Sequence, residues 1–428
     1  MSVLCSAKEG KRKTKRLGEV NVIGRDEYEG LEPDSKIELI RALIPLGLMH
    51  VQELLDEEVK DLAGERYARK DESAMAYRHG SNPGSVRIAG QRVPIDVPRV
   101  RSAAGKEIAL RSHAALSEAG ALDELLLKRV LYGISCRNYE AAAELIPGAI
   151  GLSSSTVSRN FIKASAAKLK ELQERDLSGE DIVAIFLDGK TFAENTMVMA
   201  LGIVITGEKR FLGFMETGTE NQKVLTPFLR SLLDRGLDIS QGLLVIIDGG
   251  KGLRAAVKEA FGQLAAIQRC QWHKRENVVS YLPKSDQDFW RKRLQRAYER
   301  PTYEEAKAAL SKLHEELEAR NQSAARSLEE GFEETLTLHR LGLYGVLGCS
   351  LKTTNCLESV NSMVEERCQK VDCWKNSKQR QRWLAMALID IEPRLRRIKG
   401  YRHLLKLREA LKRELKIEEK QPVQTEVA

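Results

Sequence analysis

Aromatic residues make up only 5% of this 428-residue chain. No apolar run in it approaches the roughly 18 residues that a membrane-crossing helix needs, so no helical span is expected. Lys8, Lys11, Arg12, Lys13, Lys15 and Arg16 crowd the N-terminus, but no apolar segment follows them, which argues against a secretory signal. The seven cysteines are odd in number and lack framework spacing, so reduced thiols are expected and not a disulfide scaffold. These absences describe a soluble protein of the cytoplasm, with no membrane partner.

What is present is charge. Charged residues reach 30%, the formal net charge is +8 and the pI is near 9.0, a balance that favours an anionic partner. The length allows two to four domains.

Residues 1–25 read as a basic arm. From 26 to 104 short helices around Leu39, Leu43, Leu46 and Leu55 are followed by a change of period. Val86 and Ile88 alternate before Ala89-Gly90, and Val93, Ile95 and Val97 alternate after it, which predicts a β-hairpin at 83–100. Pro94 and Pro98 cannot donate to a ladder, so its second strand is expected at an edge. Residues 105–178 predict helices over Leu122–Tyr132 and Asn138–Leu145, with a third opening at Ser153. A Ser/Thr-rich helix start carrying Arg159 and Lys163 after a turn has the outline of a DNA-binding helix-turn-helix.

The segment 179–395 carries the most informative pattern. Ile182–Leu187 is an apolar run ending on Asp188-Gly189, and Leu243–Ile247 is another ending on Asp248-Gly249-Gly250. Such runs suit strands buried on both faces, each expected to stop where it delivers a carboxylate. Strands at 196–205 and 210–215 joined by Thr-Gly-Glu-Lys, a helix from Asn221 (its start placed later if Pro227 intrudes), a helix at 253–261 and a strand at 265–270 complete the order β-β-β-α-β-α-β. That order matches an α/β core of the ribonuclease H-like type, in which the first and fourth strands are neighbours. A helical insertion at about 274–343, with a capping box at Thr302 and Glu305, interrupts it. The chain is therefore expected to be mixed α+β overall, with a helical DNA-binding region and a hairpin ahead of a five-stranded core.

Asp188 and Asp248 are the paired carboxylates. Two aspartates converging from strand ends can hold hard cations, which prefer oxygen ligands; alternatively each caps the turn after its strand. A third acid should come from a later element, with Glu358, Glu365 and Glu366 as candidates. Glu358, three residues after Asn355, could equally be the reciprocal glutamate of a capping box. Cys270-Gln-Trp-His273 can be half of a zinc site completed by Cys368 and Cys373, or a brace between strand and helix. Trp272 offers a stacking face to an unpaired base, or packs in a core. Lys251 lies in the turn after Asp248. Residues 365–414 hold 15 Lys/Arg against 7 Asp/Glu, and this segment, Arg380 and Arg382 included, is expected to contact DNA, mostly through phosphates, together with Lys251 and Trp272, while 396–428 read as a basic C-terminal helix and tail.

Asp188-Gly, Asp248-Gly-Gly-Lys-Gly-Leu, Cys270-Gln-Trp-His273-Lys and Thr354-Asn355-x-x-Glu358-Ser-x-Asn361 occur in that order. The combination resembles the Mutator-like bacterial insertion-sequence transposases of the DDE class, over roughly residues 75–395. One departure is Gly189, where many relatives place alanine. The resemblance implies a catalytic and metal-binding triad of Asp188, Asp248 and Glu358, with two Mg2+ ions (Mn2+ able to substitute). It also implies a C-x-x-H motif at Cys270 and His273, with Asn355 and Asn361 capping or orienting the last acid. The implied partners are double-stranded DNA, as terminal inverted repeats and target, and further copies of the chain in a homodimer or higher assembly at the nucleoid. The rival functions are a structure-selective nuclease or resolvase on the same core, and a DNA-binding regulator with a relic core.

Overall fold

The computed structural model describes residues 2–4, 21–23, 50–67, 75–88, 91–117, 128, 130–132, 154–192, 195–218, 221–369 and 371–417. The basic arm (apart from short strands at its ends), the helix at 138–145 and the last residues of the tail lie outside this set, as does most of the helix at 122–132. The chain divides into two compact units, Met1–Val130 with Ile134–Phe161, and Leu131–Gly133 with Ile162–Ala428.

In the first unit, β1 (Ser2–Leu4) pairs antiparallel with β2 (Asn21–Ile23). A helix over 50–63, α1, buries Val51, Leu55, Val59 and Ala63 at helical spacing against Val86, Val93 and Val100 of a β-hairpin. That hairpin, β3 (Ala76–Ile88) and β4 (Gln91–Ser102), is longer than the sequence period indicates. Its second strand is not a simple edge: β5 (Glu107–Ile108) pairs with β4 at Val100 and Arg101. The pairing with β5 is confined to that end, and Pro94 and Pro98 lie in the part of β4 that faces β3 alone. The basic decoration is partly committed, since Arg99 pairs with Glu107 at 2.6 Å and Arg92 donates to Ser85. Glu58 of α1 accepts from the amides of Arg111 and Ser112, satisfying orphan donors at the start of α2 (Arg111–Ser117). The helix expected from Ser153 is α3 (Ser154–Gln173), whose residues pass from the first unit to the second after Phe161, and on it Arg159 and Lys163 are both exposed.

The second unit is built on a five-stranded sheet of β6 (Ile182–Phe192), β7 (Asn195–Val204), β8 (Lys209–Thr217), β9 (Leu243–Ile247) and β10 (Ala265–Arg269). The spatial order is β10-β9-β6-β7-β8, with β6, β7 and β8 antiparallel and β9 and β10 parallel to β6. All five residues of β9 are fully buried, worth roughly 1.5–3 kcal/mol per large side chain. Odd positions of the two central strands, Ile185, Leu187, Val245 and Ile247, join a core with Leu225, Leu229 and Leu232 of α4 (Gln222–Asp234) and Leu253 and Val257 of α5 (Lys251–Phe261). Pro227 does not delay α4. The helix starts at Gln222, capped by the Asn221 side chain accepting from the Lys223 amide, and Pro227 sits inside it.

After β10 the chain enters helices α6 (Gln271–Ser280), α7 (Lys284–Tyr298), α8 (Tyr303–Glu318) and α9 (Gln322–Glu329). They close around their own core, with Trp290 and Leu294 packed against Ala306, Leu310, Leu313 and Leu317. The Thr302 hydroxyl accepts from the Glu305 amide at 3.3 Å, as its capping box predicts. Short helices α10 (Phe332–Thr335), α11 (Thr337–Arg340) and α12 (Tyr344–Leu351) lead back to the sheet. There α13 (Asn355–Cys368) packs on β6, α14 (Ser377–Ile391) on β8, and α15 (Leu404–Glu414) on β6 and β9. No helix among the described residues is long and apolar enough to cross a membrane.

Candidate active site

Sheet register sets the two aspartates. β6 and β9 are parallel neighbours with Leu187 opposite Ile247, so Asp188 and Asp248 are the next residue of each chain. Leu187 and Ile247 point into the α4–α5 core, which leaves their successors on the opposite face. The sequence expectation that both strands stop at the acid holds only for β9. β6 continues to Phe192 because β7 keeps pairing with it, Asp188 lying opposite Met199. Asp188 is therefore a strand residue, only 7% exposed, and Asp248 begins a turn. The Gly250 amide donates to Asp248 Oδ1 at 2.9 Å, and Gly249 takes φ +113°.

That turn is tight against a buried arginine. A Cβ at Gly249 would stand 2.0 Å from Arg269 Nε, and one at Gly331 would stand 2.6 Å from Arg269 Nη1. Arg269 also donates to the Glu330 carbonyl at 2.9 Å, so it joins the Asp248 turn to the end of the helical insertion. Lys274, fully buried, donates to the carbonyls of Ser327 and Glu330 at the same joint, and burial pulls its pKa down to about 7. The sequence motifs pass over Arg269, whose only cue is a basic residue ending a buried strand, and include Lys274 only as the last residue of Cys270-Gln-Trp-His273-Lys. Gly249→Ala is expected to cost about 1–3 kcal/mol from the positive φ alone, and more from the clash. A melting curve combined with Arg269→Ala checks this, because removing the arginine can relieve the clash but not the backbone strain.

The third acid arrives on α13. Thr354, not Asn355, is its N-cap residue, and the Thr354 side chain makes no cap bond. Instead its hydroxyl lies 3.6 Å from Cys270 Sγ and 3.4 Å from His273 Nδ1, and its amide donates to the same sulfur at 3.4 Å. The capping-box account of Glu358 is thereby not realised: the residue it casts as cap lies inside the helix, and Glu358 Oε1 is buried with no hydrogen-bond partner. That oxygen faces His273 Nε2 at 3.9 Å. Glu365 pairs with Lys190 at 2.5 Å, and Glu366 turns to solvent.

His273 connects the three acids electrically. Its hydrogen bond with Cys270 raises its pKa, burial opposes this, and the charges of Cys270, Asp188 and Asp248 add to bring it to about 9. For Cys270, burial alone would raise the thiol, but the His273 interactions outweigh it and hold it below the usual range. The C-x-x-H pair is thus an internally hydrogen-bonded brace tied to α13 through Thr354. Among the described residues no group of three or more His, Cys, Asp or Glu side chains is gathered closely enough to hold one ion, which covers the zinc alternative with Cys368 and Cys373 as well. The same holds for Asp188, Asp248 and Glu358: they are oxygen donors of the kind a hard divalent cation prefers, two at adjacent strand positions and one with a buried oxygen lacking a hydrogen-bond partner, but in this structure they are not gathered closely enough to hold one ion.

The remaining sequence candidates divide. Trp272 is 41% exposed and meets His273 edge-on at 4.8 Å. It lines a cavity of about 190 Å³ with Arg275, Lys352 and Asn355, so it is not a core tryptophan. Lys251 is solvent-exposed at the start of α5, in a loose 3.7 Å contact with Glu330. Asn361 is buried beneath α13, lining a small cavity with Lys190 and Phe192. Arg380, read as a DNA contact, is instead an internal group, paired with the buried Glu216 at 2.7 Å. The basic excess of 365–414 is similarly reduced. Arg367 pairs with Asp390, Arg397 with Glu208, and Arg408 with Asp181.

A family model described as "Transposase, Mutator family" matches residues 26–396, most of the chain. The transposase for insertion sequence element IS256 in transposon Tn4001 of Staphylococcus aureus is 25% identical over 356 residues, covering 79% of this chain and 87% of that protein. The transposase for element ISRM5 of Rhizobium meliloti is 27% identical over 353 residues, covering 81% and 84%. The transposase for element IS905 of Lactococcus lactis is 26% identical over 348 residues, covering 79% and 86%. With acids, C-x-x-H brace and helical insertion all inside the matched span, the chain belongs to the Mutator family of transposases.

Proposed function

We propose that this transposase cuts and joins DNA at the ends of an insertion sequence through a DDE triad of Asp188, Asp248 and Glu358 on a ribonuclease H-like core. The single observation that carries the reading is the β6–β9 register, which brings two aspartates from strands 60 residues apart to adjacent positions on one sheet face. The strand order, three antiparallel then two parallel, supports the fold assignment. The three carboxylates, drawn closer together than they stand in this structure, would hold two Mg2+ ions. When bound, such a pair activates an attacking oxygen and stabilises a leaving one in phosphodiester chemistry.

The chain's own groups prepare that site. The Gly250 amide orients Asp248, β7 fixes Asp188, and the His273 imidazolium offsets the negative charge of Asp188 and Asp248. Thr354 ties the His273 brace to the helix that carries Glu358. Joining two element ends requires two active sites, so the working form is a homodimer or larger. Exposed cations such as Arg159, Lys163 and Lys251 would contact phosphates. Binding should then weaken by about 10³-fold or more between 50 and 200 mM salt if six or more phosphates are neutralised.

The test is a purified-protein assay on duplex DNA ending in the element's terminal repeats, with and without chelator. Joined product that requires a divalent ion supports the reading. Cleavage without joining would make the protein a nuclease or resolvase, and equal joining in excess chelator would remove the triad from the chemistry.

A further inference from the structure

Two of the chain's four tryptophans stand together, and neither is a member of the hydrophobic cores described above. Trp374 lies in the irregular stretch between α13 and α14, and Trp383 lies on α14. The Trp374 ring meets Phe192 at 5.1 Å with planes 60° apart, and Trp383 at 6.3 Å with planes 85° apart. All three rings are only half-buried, in a chain with few aromatics to leave at the surface.

Cations flank these tryptophans in sequence. Lys375 and Lys378 are exposed. Arg382, beside Trp383, is half-buried with its Nε shut away from solvent, and no carboxylate among the described residues pairs with it. Burial lowers its pKa, as expected for a desolvated guanidinium lacking a counter-ion. Such a group is stabilised when an anion pairs with it.

Position adds the third observation. Asp188, Lys190 and Phe192 are alternate residues of β6 and so share one face of the sheet. At about 3.3 Å per residue, Phe192 lies roughly 13 Å along the strand from Asp188, or about four base-pair rises.

We propose that Phe192, Trp374 and Trp383 form a stacking platform for unpaired bases of single-stranded DNA a few nucleotides from the cut, with Lys375, Lys378 and Arg382 on its phosphates. The proposal rests on the DNA-processing function above and adds a single-strand subsite to it. Bases within a duplex hide their faces in the stack, whereas partly exposed rings, with lysines near them in sequence and an arginine that no described carboxylate pairs with, match an opened strand.

The test measures binding of the full chain to a short oligothymidine and to a duplex of equal length, at one salt concentration and without divalent ions. Trp374→Leu and Trp383→Leu should each weaken oligothymidine binding by about 5- to 100-fold, with duplex affinity held within about twofold. Trp374→Phe, which keeps a π-face, should bind the single strand nearly as well as wild type while losing part of the tryptophan quenching that oligothymidine causes. This also reads the site if a leucine variant fails to fold. Leucine variants that bind the single strand like wild type, or that lose duplex and single strand equally, would overturn the platform. Because no cleavage is scored, failure here leaves the transposition reading standing. Absence of end joining in a protein with tryptophan-dependent oligothymidine binding would sink only the latter reading.

Discussion

Asp188→Asn is expected to reduce end joining by about 10³-fold or more while leaving the fold intact, with Asp248→Asn and Glu358→Gln doing the same. Each change preserves volume and removes one negative charge. Asp188 is buried on a face shared with a second aspartate but also favours the His273 imidazolium, so neutralising it removes an attraction along with any repulsion and should change the melting temperature little. Several kcal/mol of transition-state stabilisation through bound ions would disappear, and each 1.36 kcal/mol is tenfold in rate. The assay pairs joining activity with a melt in the presence and absence of Mg2+. A wild-type melting temperature that rises with Mg2+, and a flat response in the variants, would add a readout independent of turnover. Near-normal joining by any of the three would remove that residue from the triad. If Glu358→Gln were silent and Glu365→Gln inactive, the last acid would be misassigned within α13.

The second large effect concerns stability. Glu216 at the end of β8 receives hydrogen bonds from Asn195, Ser377, Arg380 and Gln381, joining the sheet edge to α14. Burial alone would raise its carboxyl, but Ser377, Asn195, Arg380 and Gln381 together bring it from 4.5 to about 2. A depressed folded-state pKa contributes stability that is fully present above the unfolded value and is lost as pH falls through the folded one. The difference corresponds to about 3 kcal/mol, shed between roughly pH 4.5 and 2. Glu216→Gln should therefore lose about that much at pH 7 and flatten the acid limb of the denaturation profile. Glu216→Ala should cost more, about 3–5 kcal/mol, because it leaves the Arg380 guanidinium buried and uncompensated. Denaturant melts at pH 7 and pH 3 decide the matter. An unchanged acid limb in Glu216→Gln would show that the network contributes nothing net.

The strands were legible because burial on both faces leaves long Ile/Val/Leu runs, and each acid followed such a run. The end of β6 was not legible. Its continuation to Phe192 depends on pairing with β7, a long-range fact that Asp188-Gly189 conceals. The capping account of Glu358 failed for a similar reason: Thr354 spends its hydroxyl on Cys270 and His273, partners more than eighty residues away. Charge counting misread Arg380 because a basic run records cations but not the acids opposite them, and Glu216 lies far upstream. Periodicity found the insertion and its cap at Thr302, since those contacts are local.

The core of that insertion, from Val278 to Leu336, draws on one uninterrupted stretch of chain. Its contacts can therefore break and re-form together without unzipping β6 from β9. Amide protons in α8 and α9 should exchange with deuterium as a cooperative group, with an opening free energy distinct from that of the central strands. Local connectivity of this kind gives the protein a part that can breathe while the carboxylate-bearing sheet stays shut.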